Sequence, residues 1–409
     1  MSVSVATAGP LPRRLRSIHV PALIFGACLA LLVTVVLTYT IDIHSLNDFY
    51  REAWPAYRLL LRGHFLGFLR AGPPYIGSLL LRAPFALLAG ALGASARGVY
   101  IATAIPCMLA PSVLAAYLAR GASTDPAAAS PRRGVRPVDL FMLTPPALMT
   151  IVGGHPEDAL GGVLCVASVL LACRGSSRAA GLFLGLAVIN KSWALVAVPL
   201  VLALMPADRR LSGFTTLVLV AGAVMLPVTA LRLSSGASMG GTLGDQAYGF
   251  FEPTQLLWWL GRSSWFVHEA HILLVLVAWL LSGAWWWLRV HGRSARPAVR
   301  QALAALAVVL LVRCALDPWD NVYYMAPFML AVTVLEDPPG FPTLTWLCVA
   351  ASLIIVPPYG FLHSLGDAAQ AAAYSVFALA TIAWLGRLAF ATSGPSPTLG
   401  YAASEGSGA

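Results

Sequence analysis

An all-α polytopic membrane protein of about twelve transmembrane helices is the fold class the sequence predicts, and three observations predict it. The 409 residues are 58% hydrophobic and only 11% charged, with a mean hydropathy of +0.77, far from the balance of a water-soluble globular domain. Apolar stretches of roughly 15 to 25 residues recur from Val20 to Phe390, each near the ~20 needed to cross a ~30 Å hydrocarbon core as a helix. The basic residues gather in short loops between those stretches, as cytoplasmic loops of polytopic proteins do.

The first element is the apolar run over 20–41, preceded by Arg13, Arg14 and Arg16. No small-residue cleavage site precedes the polar region at Asp42, so the run reads as an uncleaved first helix rather than a secretory signal. Basic clusters at 13–16, 120–136, 174–178, 209–210 and 289–300 place those loops in the cytoplasm, and helix parity must obey them. One crossing, 99–119, fits between the outward-leading first helix and the basic loop 120–137. The moderately apolar stretch 75–93 therefore does not span. Arg82 and Pro84 interrupt it, and a mid-membrane arginine on a lipid face costs about 2.5–3.5 kcal/mol or more. It is expected to lie in the outer interface or dip from it.

By the same logic 179–206, flanked by basic loops, is two short helices joined at Asn190-Lys191-Ser192-Trp193. Each arm reaches only ~18 Å at 1.5 Å per residue, which leaves the tip at membrane depth inside protein or a wet cavity. The later crossings are 213–232, 268–289, 301–316, 322–335, 342–358 and 368–388. The chain is thus expected to form a single polytopic domain over 1–390, with 42–98 as an outer loop carrying interfacial helices. Both termini fall in the cytoplasm, and 391–409, rich in Ser, Gly, Pro and Ala, is a disordered tail.

The net charge of +9 does not signal nucleic acid, because the arginines sit in inter-helix loops and form no stripe. Six cysteines, Cys28, Cys107, Cys165, Cys173, Cys314 and Cys348, lie in or at the ends of apolar runs. None has metal-ligand spacing, so they read as small hydrophobes.

This topology collects the acidic residues on the non-cytoplasmic side. From Asp48 to Gly63 the chain reads as an amphipathic helix, with Leu46, Phe49, Ala53, Ala56, Leu60 and Leu61 on one side and Arg51, Arg58 and Arg62 on another. Asp48, beside an aromatic pair and under those arginines, is placed to be a partly desolvated base; Asp42, nearer the helix end, is the fallback. His155, Glu157 and Asp158 open a helix, where carboxylates also serve as ordinary caps. Asp317 and Asp320 flank Trp319, and Arg313 either pairs with Asp317 at i, i+4 or shares itself with a phosphate. Arg82 and Lys191 are, with Arg313, candidate anion partners, with protonated His155 assisting. Trp258, Trp259, Trp265, Tyr248 and Tyr324 are candidates for stacking on a ligand, the first two competing with an interfacial aromatic belt.

Several segments in order resemble the GT-C superfamily of membrane glycosyltransferases, and most closely glycosyltransferase family 87, whose members use polyprenyl-phosphate mannose. They are Asp48-Phe49-Tyr50 running to Leu61-Arg62-Gly63, Pro73-Pro74-Tyr75, Gly154-His155-Pro156-Glu157-Asp158, Gly181 to Lys191-Ser192-Trp193, and Asp317-Pro318-Trp319-Asp320-Asn321-Val322-Tyr323-Tyr324. The resemblance covers most of the chain and implies transfer of a sugar, most often mannose, from a polyprenyl monophosphate to an acceptor outside the cell membrane, with inversion. The base of the family maps onto Asp48. A single Asp stands there in place of a paired acidic motif, so no metal cofactor is indicated, and the donor is itself the lipid-linked sugar. His155, Glu157, Asp158, Lys191, Arg82, Arg313, Asp317, Asp320 and Tyr324 are the expected substrate-binding set. The implied partners are that donor, a glycolipid, glycan or lipoglycan acceptor, and membrane lipids. Two rivals remain from the sequence: a secondary transporter or lipid flippase, which would favour internal repeats and midplane charges, and an inactive scaffold of the same fold.

Overall fold

The computed structural model describes residues 20–40, 48–73, 75–121, 137–234, 252–261, 270–289, 291, 298–317, 320–336, 343–357 and 361–391. Every regular element among them is helical. In chain order the α-helices are α1 (Val20–Thr40), α2 (Trp54–Leu61), α3 (Phe65–Ala71), α4 (Ile76–Ala91), α5 (Ala96–Gly121), α6 (Pro137–Val152), α7 (Glu157–Cys173) and α8 (Ser177–Asn190). They continue with α9 (Val198–Leu204), α10 (Arg210–Ser234), α11 (Ala270–Arg289), α12 (Val299–Leu316), α13 (Ala326–Glu336), α14 (Thr343–Ile355) and α15 (Asp367–Phe390). Among the described residues, five helical stretches are long and apolar enough to cross a membrane: 23–40, 96–116, 207–234, 299–316 and 367–390. Further apolar helices of 10–17 residues include Ile76–Ala91, Ser177–Asn190 and Val322–Glu336.

The predicted break in 179–206 is present. α8 stops at Asn190 because Lys191 takes an extended backbone (φ −152°, ψ 132°), and the chain restarts as a 3₁₀ turn, Ser192–Ala197, before α9. α7 and α8 form an antiparallel hairpin, so the tip of the second lies beside the start of the first. α10 and α5 pack around this pair, and α12, α13 and α15 extend the bundle. The main core runs through α7, α8, α9, α12 and α13, from Val166 and Leu184 to Leu310 and Phe328.

A second apolar cluster supports the first loop. Phe49, Ala53, Ala56, Tyr57 and Leu60 pack with Phe68, Ile76, Leu79 and Tyr100, while Arg51, Arg58 and Arg62 are exposed. That is the two-sided pattern expected of 48–62, with one difference. The stretch is not a single α-helix: Phe49–Ala53 is wound as a π-turn, and α2 begins at Trp54 with Pro55 in its first turn. Gly63 ends it at φ +79°, where a side chain would be strained.

α4 differs more from the expectation for 75–93. Its Arg82 is 3% exposed and turned inward, and α4 packs on α2, α5 and α8. Arginine is accommodated here by a buried partner, not by headgroups. The approach is close: a Cβ at Gly77 would lie 2.1 Å from the Ile189 carbonyl oxygen, so only glycine lets α4 lie against the end of α8. Asp42, Leu46, Tyr248, Trp265, Trp319 and the tail from 392 fall outside the described residues.

Candidate active site

The site is assembled where four short-range features meet: the π-turn after Asp48, the middle of α4, the turn between α6 and α7, and the tip of α8. In the α6–α7 turn, Gly154 adopts φ +78°, and the His155 amide donates to the Thr150 carbonyl at 2.9 Å. This closes α6 and aims the imidazole into the protein. Pro156 then starts α7, so Glu157 and Asp158 occupy its first turn, where their charge suits the positive helix end.

His155 lies between two carboxylates. Its Nδ1 is 2.8 Å from Glu157 Oε1 and its Nε2 is 3.4 Å from Asp48 Oδ2. Burial and the nearby Lys191 ammonium depress the imidazole, but Glu157 and the hydrogen bond to Asp48 outweigh them and push it up to about 9. His155 is therefore an imidazolium at neutral pH, donating to both acids.

The remaining oxygens are taken by cations from α4 and the α8 tip. Glu157 Oε2 faces Arg82 at 3.2 Å. Lys191 Nζ lies 2.9 Å from Asp158 Oδ2 and 3.4 Å from Glu157 Oε1. Asp158 Oδ1 accepts from the Trp193 indole at 2.7 Å, and the Asn190 side chain donates to the Glu157 carbonyl at 2.8 Å. Charged groups this deep persist only when paired and hydrogen-bonded, and here each is. The side chains of Glu157, Asp158, His155 and Arg82 are at most 6% exposed and Lys191 is 11%, whereas Asp48 is 40% exposed. Asp48 is the member of the cluster that an outside molecule meets first.

Aromatic rings wall the cluster. Lys191 Nζ sits 4.8 Å from the Tyr75 ring centre and 5.5 Å from that of Tyr323, and His155 packs 4.3 Å from Tyr323. The Tyr75 hydroxyl donates to Glu52, one turn after Asp48. On the far side of Trp193 lies Arg313, whose guanidinium is 5.6 Å from that ring and 4.0 Å from the Tyr324 ring. The i, i+4 pair of Arg313 with Asp317 is present but long, at 3.8 Å, and the guanidinium also donates to the Tyr324 carbonyl at 3.4 Å and to the Cys314 sulfur at 3.8 Å. This guanidinium is 5% exposed and held chiefly by aromatic faces, an arrangement able to take a further anion.

The predicted residues thus separate into groups. Asp48, Arg82, His155, Glu157, Asp158 and Lys191 form one connected cluster, with Arg313, Asp317 and Tyr324 adjoining it across Trp193. Asp320 does not join them. It is fully buried, accepts from the Tyr374 hydroxyl on α15 at 2.7 Å, and burial pushes its carboxyl up to about 8. It braces α15 against the start of the Val322–Met325 turn. Trp258 and Trp259 lie on a separate turn, Leu256–Leu260, with the Trp259 indole donating to Ser375 at 3.3 Å. Sequence reasoning missed Glu52, and used Tyr75, Trp193 and Tyr323 only as parts of motifs. Glu52 had a legible signal, its i+4 spacing from Asp48.

Ligand atoms of His155, Glu157 and Asp158 lie within 4.8 Å of one another, a spacing a divalent ion can use. The same oxygens are engaged by Lys191 and Arg82, so a metal would have to displace the ammonium. Compared with family models, curated proteins and solved structures, the chain matches none.

Proposed function

We propose that the chain is a membrane glycosyltransferase of GT-C type, with about twelve transmembrane helices, resembling family 87. It moves a hexose, mannose being the expected one, from a polyprenyl-phosphate carrier to an acceptor hydroxyl. In this reading the protein is a multi-pass component of the cell membrane, both termini are cytoplasmic and the cluster faces the other side. The observation that carries it is the junction of an exposed carboxylate, Asp48, with a buried imidazolium and two further cations in one aromatic-walled cluster.

The chemistry follows from that junction. Asp48 takes the proton of the acceptor hydroxyl as its oxygen attacks the anomeric carbon. The bond from that carbon to the phosphate oxygen breaks in the same displacement, so the configuration inverts and polyprenyl monophosphate leaves. Lys191 and Arg313 are placed to receive the charge developing on the phosphate. His155, charged and anchored by Glu157, holds Asp48 in orientation until it accepts the proton. Tyr75, Tyr323 and Tyr324 offer faces for the sugar ring. A monophosphate leaving group asks for less neutralisation than a diphosphate, which suits fixed cations.

Purified protein given polyprenyl-phosphate mannose and a panel of glycolipid and glycan acceptors should release polyprenyl phosphate, and Asp48→Asn should abolish release. Undiminished turnover in that variant removes Asp48 from the role. Movement of the lipid-linked sugar across proteoliposomes with no bond formed would favour a flippase instead.

A further inference from the structure

The hairpin that carries Glu157, Asp158 and Lys191 has a second end, about 25 Å away by the 17 residues of α7. There α8 and α10 both begin, on either side of a solvent-facing depression of about 540 Å³. Ser176, the residue before α8, makes no side-chain capping bond, so the amides of the first turn on this wall have no carbonyl within the helix to bind. Ser177 lines the same depression. It is 4% exposed, and its hydroxyl has no hydrogen-bond partner. A buried hydroxyl without a partner is costly unless something occupies its reach.

Two arginines complete the rim. The Arg178 Nε donates to the Ser212 hydroxyl at 2.9 Å, which ties the first turns of α8 and α10 together and fixes the guanidinium beside the opening. Arg209 lies opposite, its Nε 3.5 Å from Asp208 Oδ2 in an exposed pair. Asp208 is the one opposing charge on the lining.

We propose that this depression binds a phosphate group, presented by a phospholipid headgroup or as free phosphate. Uncapped amides, a buried hydroxyl and planar guanidiniums are all donors, and a phosphate offers only acceptor oxygens. The site stands apart from the Asp48 cluster and does not depend on the reading of that cluster.

Full-length protein tests it in two arms. Native mass spectrometry from nanodiscs of phosphatidylcholine with or without phosphatidylglycerol reads headgroup retention. Thermal unfolding in detergent with inorganic phosphate, against chloride at matched ionic strength, reads the free anion. Arg178→Gln with Arg209→Gln should weaken whichever binding is seen about tenfold. Ser177→Ala should weaken it less and, by removing the unpartnered buried hydroxyl, raise the ligand-free unfolding temperature. Arg387→Gln, an exposed arginine in the last turn of α15, should change neither. Loss of phosphatidylglycerol selectivity in the double variant names the lipid as source; loss of phosphate protection without lipid selectivity names the free anion. If neither probe separates wild type from the double variant, or Arg387→Gln matches it, the site does not exist.

Discussion

Raising the pH from 6.5 to 9.5 should strip the protein of the stability that His155 supplies. The imidazole is raised from 6.5 to about 9 on folding, a gap of about 2.5, which at 1.36 kcal/mol per pH unit is roughly 3 kcal/mol. The group is 5% exposed, so solvent screens little of it. Because the folded form holds the proton more tightly, this stability is complete below pH 6.5 and is lost as the pH climbs through 9. Asp320, raised by burial from 3.8 to about 8, also favours the protonated folded form. Its contribution declines over a lower range and is spent by about pH 8, so above that pH the share of His155 is the difference between wild type and His155→Gln. Chemical or thermal unfolding in detergent at fixed ionic strength would follow both. Wild type should lose stability across the whole range, Asp320→Asn should keep the upper part of the slope, and His155→Gln should make it shallower between pH 8 and 9. A flat wild-type profile between 8 and 9.5, or an equal slope in His155→Gln, would refute the imidazolium between Asp48 and Glu157.

Three other perturbations probe the same assembly. Arg82→Met should destabilise by about 3 kcal/mol, the low end for breaking a buried pair because Lys191 and His155 still face Glu157; adding Glu157→Gln should recover part of that loss in denaturant titrations. Trp193→Phe removes one of the two donors to buried Asp158 and should cost about 1–3 kcal/mol, with a midpoint shift in thermal unfolding as the readout. Gly77→Ala must push α4 from the Ile189 carbonyl, 2.1 Å from the new carbon; a variant as stable as wild type would show that the two helices yield there at no cost.

Much of the local structure was legible because it rests on spacing. The apolar and basic sides of 48–62, the stop at Gly63 and the break at Asn190-Lys191 follow from periodicity and loop charge. The convergence of His155, Glu157, Asp158 and Lys191 was legible through helix parity, which places the turn before α7 and the tip of α8 at one end. What periodicity does not carry is pairing at long range. Sequence makes Arg82 both a polar break in an interfacial stretch and a candidate phosphate partner, yet its partner Glu157 lies 3.2 Å away on another helix, and no pattern within 75–93 announces that. Proximity in sequence groups Asp320 with Asp317, but the Tyr374 hydroxyl on α15 donates to the Asp320 carboxylate.

The π-turn from Phe49 to Ala53 has a consequence for how such a site can arise or be lost. A π-turn holds about one residue more than an α-turn, and one residue corresponds to about 100° of rotation around a helix. Deleting a single residue from 49–53 would restore a regular helix continuous with α2 while swinging Asp48 off its line to His155. The reverse change, insertion of one codon into an ordinary amphipathic helix, would be enough to deliver an acid to a pre-existing imidazolium. A one-residue difference in length over this segment would then mark, among chains of this fold, those that keep the junction from those that do not.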